Sequence, residues 1–310
     1  MSELSVDHLL GIKNLTTEDI NLIFQTADQF KEVINRPIRK VPSLRDITIA
    51  NLFFENSTRT RSAFEIAAKR LGAEIVSLDV GTSSSSKGET IFDTVANINA
   101  MCPDAIIIRH SECGLPGTLV DLVNCPIINA GDGANQHPTQ CLLDLYSIRK
   151  TQGSLENIHI AMIGDLKYGR TVHSLVQALS LFGATFHFVS PESLKMPSSV
   201  KTWIKKAGLE YHQYTDIMDI MPIADILYMT RIQGERFPDP LEYEKVKNSY
   251  ILENSMLEGS KDSMRVLHPL PRVNEITEDV DDNPKAYYFQ QAKNGVYVRQ
   301  ALIAAILGLK

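Results

Sequence analysis

Five successive residues, Ser57-Thr58-Arg59-Thr60-Arg61, combine three hydroxyls with two guanidinium groups. They lie between an apolar, strand-like stretch, Ile47 to Phe54, and a helix-like one, Ser62 to Leu71, which Gly72 ends. A strand that turns into a helix N-terminus offers unpaired backbone N–H groups and the positive end of the helix dipole. With hydroxyls and guanidiniums added, the run is an anion site suited to phosphate. At about 100° per helical residue, Arg59 and Arg61 diverge by roughly 200°, so only one faces a given ligand. The plainer alternative is a Ser or Thr cap followed by solvated arginines.

Similar groups follow other strand-like stretches. After Ala105–Ile108 come Arg109 and His110. After Pro126–Asn129 come Gly131-Asp132-Gly133 and then Asn135-Gln136-His137-Pro138-Thr139-Gln140. After Ile158–Ile163 comes Gly164 to Thr171, and after Ile223–Met229 come Arg231, Gln233 and Arg236. The pair Val266-Leu267 leads into His268-Pro269-Leu270-Pro271-Arg272. Ligands of α/β sheets sit beyond the carboxyl ends of the strands, so this repetition predicts one cation-rich rim.

The individual readings differ. His137, at a helix start beside Gln140, suits donation to a carbonyl oxygen that gains charge, with a capping histidine as the alternative. Gly164 to Thr171 has the spacing of a phosphate loop, but Arg170 stands where that motif needs lysine. The planar fork of Arg170 suits a carboxylate better. His268, set among prolines, reads as structural, and Leu270 offers only backbone groups. His159 and His187 lie within strands and read as bystanders. Ser83-Ser84-Ser85-Ser86, followed by Lys87-Gly88-Glu89, reads on its own as a surface loop.

The elements that must position these groups alternate: short apolar strands with helical patterns at Glu89–Met101, Pro138–Thr151, Thr171–Phe182 and Ser198–Ala207. This predicts an α/β fold of two domains, each a parallel sheet flanked by helices, joined within the long helix from Pro138 to Thr151. An N-terminal helix is expected after a cap at Thr16 or Thr17. The segment Asn294 to Leu309 reads as an amphipathic helix expected to pack back on the first domain. A length of 310 residues fits two domains, and a net charge of −6 argues against nucleic acid or an anionic membrane as partner. Four cysteines, none in a C-x-x-C pair, and no zinc-ligand spacing point to a reduced, cytoplasmic protein without a metal. No signal-like N-terminus or apolar run of membrane-spanning length occurs.

Taken together, Ser57-Thr58-Arg59-Thr60-Arg61, Lys87-Gly88-Glu89, Arg109-His110, His137-Pro138-Thr139-Gln140 and His268-Pro269-Leu270-Pro271-Arg272 resemble the carbamoyltransferase family, in order and spacing from about residue 8 onward. Met229-Thr230-Arg231-Ile232-Gln233 and Pro269 resemble its aspartate branch, since the ornithine branch typically carries cysteine at the position of Pro269.

The resemblance implies that residues 1–140, with a C-terminal helix 292–310, bind carbamoyl phosphate, and that residues 141–291 bind aspartate. It implies phosphate contacts from Ser57, Thr58, Arg59 and Thr60 with Arg109 close by. Thr58, Arg109 and His137 would meet the carbonyl oxygen, and Gln140 the carbamoyl amine. Aspartate would be held by Arg170, Arg231, Gln233 and the Leu270 carbonyl. Ser83 and Lys87 would reach in from a neighbouring subunit of a homotrimer, which turns the serine run from a plain loop into a functional one. The implied reaction serves de novo pyrimidine biosynthesis, needs no cofactor, and leaves open a separate regulatory chain. A carbamoyltransferase for ornithine, a nucleotide-dependent enzyme using Gly164 to Thr171, and a non-catalytic ligand-sensing member are the competing expectations.

Overall fold

The structure, a computed structural model, describes residues 4–34, 36–37, 41–79, 89–234, 237 and 239–308. Ser83, Lys87 and Arg236 lie outside the described residues. The chain divides into two compact units, Met1–Leu143 with Lys293–Lys310, and Asp144–Ala292.

The first unit opens with α1 (Thr17–Ile34), followed by β1 (Thr48–Phe53), α2 (Thr58–Leu71), β2 (Glu74–Asp79) and α3 (Ile91–Ala100). It continues with β3 (Ala105–His110), α4 (Leu115–Thr118) and β4 (Ile127–Asp132). Helix α5 (Pro138–Gln152) then leads into the second unit. The four strands are parallel in the order β2-β1-β3-β4. The run Ile106-Ile107-Ile108 is wholly buried, as expected of a parallel strand covered on both faces. Gly72 ends α2 at φ +85°, and its N–H returns to the carbonyls of Ala68 and Lys69.

The second unit carries β5 (His159–Ile163), α6 (Arg170–Leu179), β6 (Thr185–Val189), α7 (Ser198–Lys206) and β7 (Tyr211–Tyr214). It ends with β8 (Ile226–Met229), α8 (Pro240–Val246), β9 (Arg265–Leu267) and the start of α9 (Tyr288–Ile306). Its five strands are parallel in the order β7-β6-β5-β8-β9.

Helix α9 packs on the first unit, as expected. Val298, Leu302 and Ile303 are fully buried, and the Arg299 guanidinium lies 5.2 Å over the Phe64 ring. A Cβ on Gly295 would come within 3.0 Å of Leu143, so glycine is what permits this approach.

Two boundaries differ from the sequence reading. Helix α2 starts at Thr58, so the Thr-Arg-Thr-Arg run is its first turn, supported by an Arg61–Glu65 pair at 3.2 Å. Strand β3 runs on through Arg109 and His110, because Arg109 still pairs in register with Phe53 of β1.

Each sheet reverses its strand order once, between β1 and β3 in the first and between β5 and β8 in the second. At such a point the connections leave to opposite sides and open a crevice beyond the strand ends. The register brings Phe53 beside Arg109 in one sheet and Ile163 beside Met229 in the other. The cationic segments named above start at these ends.

Candidate active site

In the first unit the run Ser57 to Arg61 sits at the β1/β3 crevice. Ser57 holds the N-cap position of α2 in an extended conformation but makes no side-chain capping bond. Its hydroxyl therefore does not serve the role that the plainer reading assigned it. The amides of the first α2 turn, Thr58 to Thr60, point out of the helix start with the dipole behind them. Arg109 is buried, 8% exposed, with its Nε 3.1 Å from Glu55 Oε2 and a second nitrogen donating to the Ala130 carbonyl at 3.3 Å. His110 accepts the Glu112 N–H on Nδ1 at 3.0 Å. Burial lowers its pKa, against the opposing pull of Glu112 and Glu55.

His137 and Gln140 are buried at the start of α5, with Pro138 as first helical residue. The His137 carbonyl accepts from Gln140 and Cys141 N–H, so its ring is carried at a fixed helix entry. The loop before it is organised by Asp132, only 1% exposed. Oδ1 accepts from Asn129 Nδ2 at 2.9 Å and from Gln136 N at 3.0 Å. Oδ2 accepts from Gly114 N at 2.7 Å and from Asn135 Nδ2 at 2.8 Å. The next residue, Gly133, has φ +51°, and a Cβ there would meet the Ser111 carbonyl at 2.3 Å. In the sequence Gly131-Asp132-Gly133 stands out only as the segment after a strand-like stretch. Its hub was not visible because two of the four donors are backbone N–H groups.

In the second unit Arg170 opens α6 at the β5/β8 crevice and is 6% exposed. Arg231 and Gln233, both half-buried, follow the end of β8. The segment before Arg170 closes on itself. Asp165 Oδ1 accepts the Tyr168 N–H at 2.9 Å, a donor that a phosphate loop would offer to its ligand. Gly164, at φ +112°, lies where a Cβ would meet the Thr230 carbonyl at 2.5 Å. These contacts serve the fold and place Arg170, and they count against the nucleotide reading.

Leu270 is held at φ +57°, in the left-handed region that side chains seldom adopt. Its N–H donates to His268 Nδ1 at 2.7 Å, which puts the ring proton on Nε2, 2.7 Å from Glu275 Oε1. Glu275 Oε2 accepts from Val273 and Asn274 N–H at 3.0 and 3.1 Å. Burial alone would raise the Glu275 pKa, but the His268 and backbone hydrogen bonds prevail and hold it below the usual value. The His268 N–H donates to Gln291 Oε1 at 2.9 Å, and Gln291 Nε2 donates to buried Asp144 at 2.6 Å. Thus the Leu270 carbonyl is set by a relay of side chains, the outermost on α9 and α5.

Among the described residues no cluster of His, Cys, Asp and Glu is arranged to hold a metal ion. The first unit thus offers hydroxyls, helix amides, the guanidiniums of Arg59 and Arg109, an imidazole and an amide. The second offers two guanidiniums, an amide and the carbonyl of Leu270, held on left-handed backbone. The first set matches phosphate and a polarised carbonyl, the second a carboxylate-bearing amine.

Residues 7–150 match the model of the aspartate/ornithine carbamoyltransferase, carbamoyl-P binding domain, and residues 156–306 that of the Asp/Orn binding domain. The chain belongs to the aspartate/ornithine carbamoyltransferase family. It is 54% identical over 303 residues to the aspartate carbamoyltransferase catalytic subunit of Parabacteroides distasonis, covering 97% of each chain. It is 52% identical to that of Bacteroides fragilis, over 97% of this chain and 96% of the relative. Among solved structures it resembles the catalytic subunit of M. jannaschii aspartate transcarbamoylase, with TM-score 0.91, 44% identity and 98% of both chains covered. The Trypanosoma cruzi aspartate transcarbamoylase, solved with N-(phosphonacetyl)-L-aspartic acid, gives TM-score 0.90 at 34% identity, over 96% of this chain and 95% of that one. These relatives are all of the aspartate type.

Proposed function

We propose that this chain transfers the carbamoyl group of carbamoyl phosphate to the amino group of L-aspartate, releasing N-carbamoyl-L-aspartate and phosphate. The observation that carries this reading is the pairing of two strand-order reversals with two different cationic sets, in a chain whose full-length relatives are aspartate carbamoyltransferases. The T. cruzi relative has been solved with carbamoyl phosphate and aspartate together, which supports the same pair of substrates here.

In this reading Ser57, Thr58, Arg59 and Thr60 hold the phosphate. Thr58, Arg109 and His137 donate to the carbonyl oxygen, and Gln140 accepts from the carbamoyl amine. Arg170, Arg231 and Gln233 take the aspartate carboxylates, and the Leu270 carbonyl accepts from the amine. The amine nitrogen attacks the carbonyl carbon, and a C–N bond forms. A tetrahedral intermediate carries the negative charge on oxygen, where each preformed donor is worth roughly 3 kcal/mol. The C–O bond to phosphate then breaks, and the leaving phosphate accepts the amine proton. No side chain acts as nucleophile. Attack requires both substrates to be held at once, which supplies the remaining advantage through orientation.

The assay that tests the reaction measures carbamoyl aspartate formation with ornithine as rival acceptor. Turnover with aspartate is expected, and turnover with ornithine alone would overturn the reading.

The reading extends to a homotrimer in which Ser83 and Lys87 complete the neighbour's site. If so, His137→Ala and Lys87→Ala chains, each nearly inactive, regain activity when unfolded together and reassembled. Any mixed ring of three then contains one site with both residues intact. Mixed trimers as inactive as their parents would refute the shared site. A cytoplasmic setting, within pyrimidine biosynthesis, accords with four free cysteines and with the lack of any described helix long and apolar enough to cross a membrane.

A further inference from the structure

We propose that Asp132 is the positioning residue of the carbonyl-polarising pair, fixing His137 relative to Arg109; this rests on the proposed carbamoyl transfer. The argument begins with Gln136, the residue before His137. Its N–H donates to Asp132 Oδ1 at 3.0 Å, and its carbonyl accepts from Asp132 N at 3.1 Å. Both sides of that residue are therefore clamped to one partner, and His137 starts one peptide bond later. The other carboxylate oxygen takes the Gly114 N–H at 2.7 Å. Gly114 is the N-cap of α4, at the end of the loop that follows β3, the strand whose end carries Arg109. One buried carboxylate thus ties the loop that presents the imidazole to the loop that follows the guanidinium. The Gly133 N–H on the His110 carbonyl, at 2.9 Å, stitches the same two strand ends.

A carboxylate is needed because the hub only accepts. Four N–H groups converge on two oxygens, and an amide of the same shape would turn an NH₂ against two of them. Asp132→Asn should therefore shift the entry to α5 while leaving the α2 phosphate cradle in place. An error of about 1 Å in a group that stabilises a transition state costs on the order of 100-fold.

The experiment compares wild type, Asp132→Asn and Asn135→Ala by steady-state kinetics, calorimetric titration of inorganic phosphate, and thermal melting. For Asp132→Asn the expected result is kcat down roughly 10- to 100-fold. Phosphate affinity and the KM for aspartate should each change less than about threefold, since neither ligand depends on His137. Unchanged kcat, or a loss of phosphate affinity matching the loss of kcat, would overturn the proposal. If Asp132→Asn does not fold, Asn135→Ala decides. It removes one exposed donor, and a kcat loss of about threefold upholds the positioning role while an unchanged kcat overturns it. If wild type itself makes no carbamoyl aspartate, the proposed function fails first. The His137 imidazole signal in a nitrogen–proton correlation spectrum then remains the readout, expected to move in Asp132→Asn and overturning the proposal if it does not.

Discussion

The two units fasten their working loops with a buried carboxylate, but by different chemistry. In the first, Asp132 gathers four neutral N–H donors and locks a helix entry. In the second, Glu275 acts through a histidine: its oxygen receives His268 Nε2, and His268 Nδ1 in turn receives the Leu270 N–H. Under the proposed transfer the first device presents side chains for a ligand of high, fixed charge. The second would present a backbone carbonyl, which has no rotamer to adjust and must be aimed by the chain itself. Leu270 meets that demand by accepting a left-handed conformation, at a cost of about 1–2 kcal/mol.

The largest difference between the units is expected when one arginine is removed from each. Arg59→Ala should weaken carbamoyl phosphate and inorganic phosphate binding by about 100-fold, through loss of a charge-assisted contact. Arg231→Ala should raise the aspartate requirement by about 10- to 100-fold and leave phosphate binding intact. Calorimetry on both variants checks this, and abolition of carbamoyl phosphate binding by Arg231→Ala would reverse the assignment of the units.

A smaller effect is expected of Glu275→Gln. The glutamate's pKa is depressed in the folded state, so its contribution is present above pH 4.5 and lost as pH falls below it. The variant should cost about 2 kcal/mol at neutral pH and raise the KM for aspartate a few-fold, with phosphate affinity unchanged. Denaturant titration and kinetics on the same preparation test whether this carboxylate aims Leu270; an unchanged KM would show that it does not.

The smallest effect concerns a row of histidines across the second sheet. His187 stacks between His159 and His212, accepts or donates at 3.1 Å to His159, and lies 3.2 Å from the Tyr214 hydroxyl. Burial, followed by the neighbouring His159, His212 and Lys261, lowers its pKa to about 4, with Asp225 opposing. The unfolded chain therefore binds this proton first, and stability falls as pH drops from about 6.5 towards 4. His187→Phe should flatten that slope by roughly 1–2 kcal/mol, read from denaturant midpoints across the range. An equal slope in both proteins would remove the row from the account.

What could be read from the chain alone follows the physics of each feature. Alternating apolar stretches announce parallel strands because both faces must be covered, as Ile106 to Ile108 illustrate. The cationic segments stand out because guanidinium, imidazole and amide groups recur after successive strand ends, where ligands of α/β sheets sit. The hubs do not stand out: Asp132 meets Gly114, and Gln291 meets Asp144, across 18 and 147 residues. Backbone donors also carry no side-chain signature. The histidine row was equally hidden, since it depends on the register that sets His187 opposite His212. The end of β3 was misplaced because Arg109 looks like a loop residue, yet it remains paired and buried.

The second unit is one unbroken stretch of chain, whereas the first borrows its last piece from residues 293–310. On the ribosome, synthesis runs from the N-terminus, so the later unit has all its residues available first. The earlier unit waits for Val298, Leu302 and Ile303 to emerge before its interior can be filled. The order of manufacture and the order of completion are therefore opposite, and the nascent unit that carries Ser57 to Arg61 stays unfinished until residues 293–310 have been made.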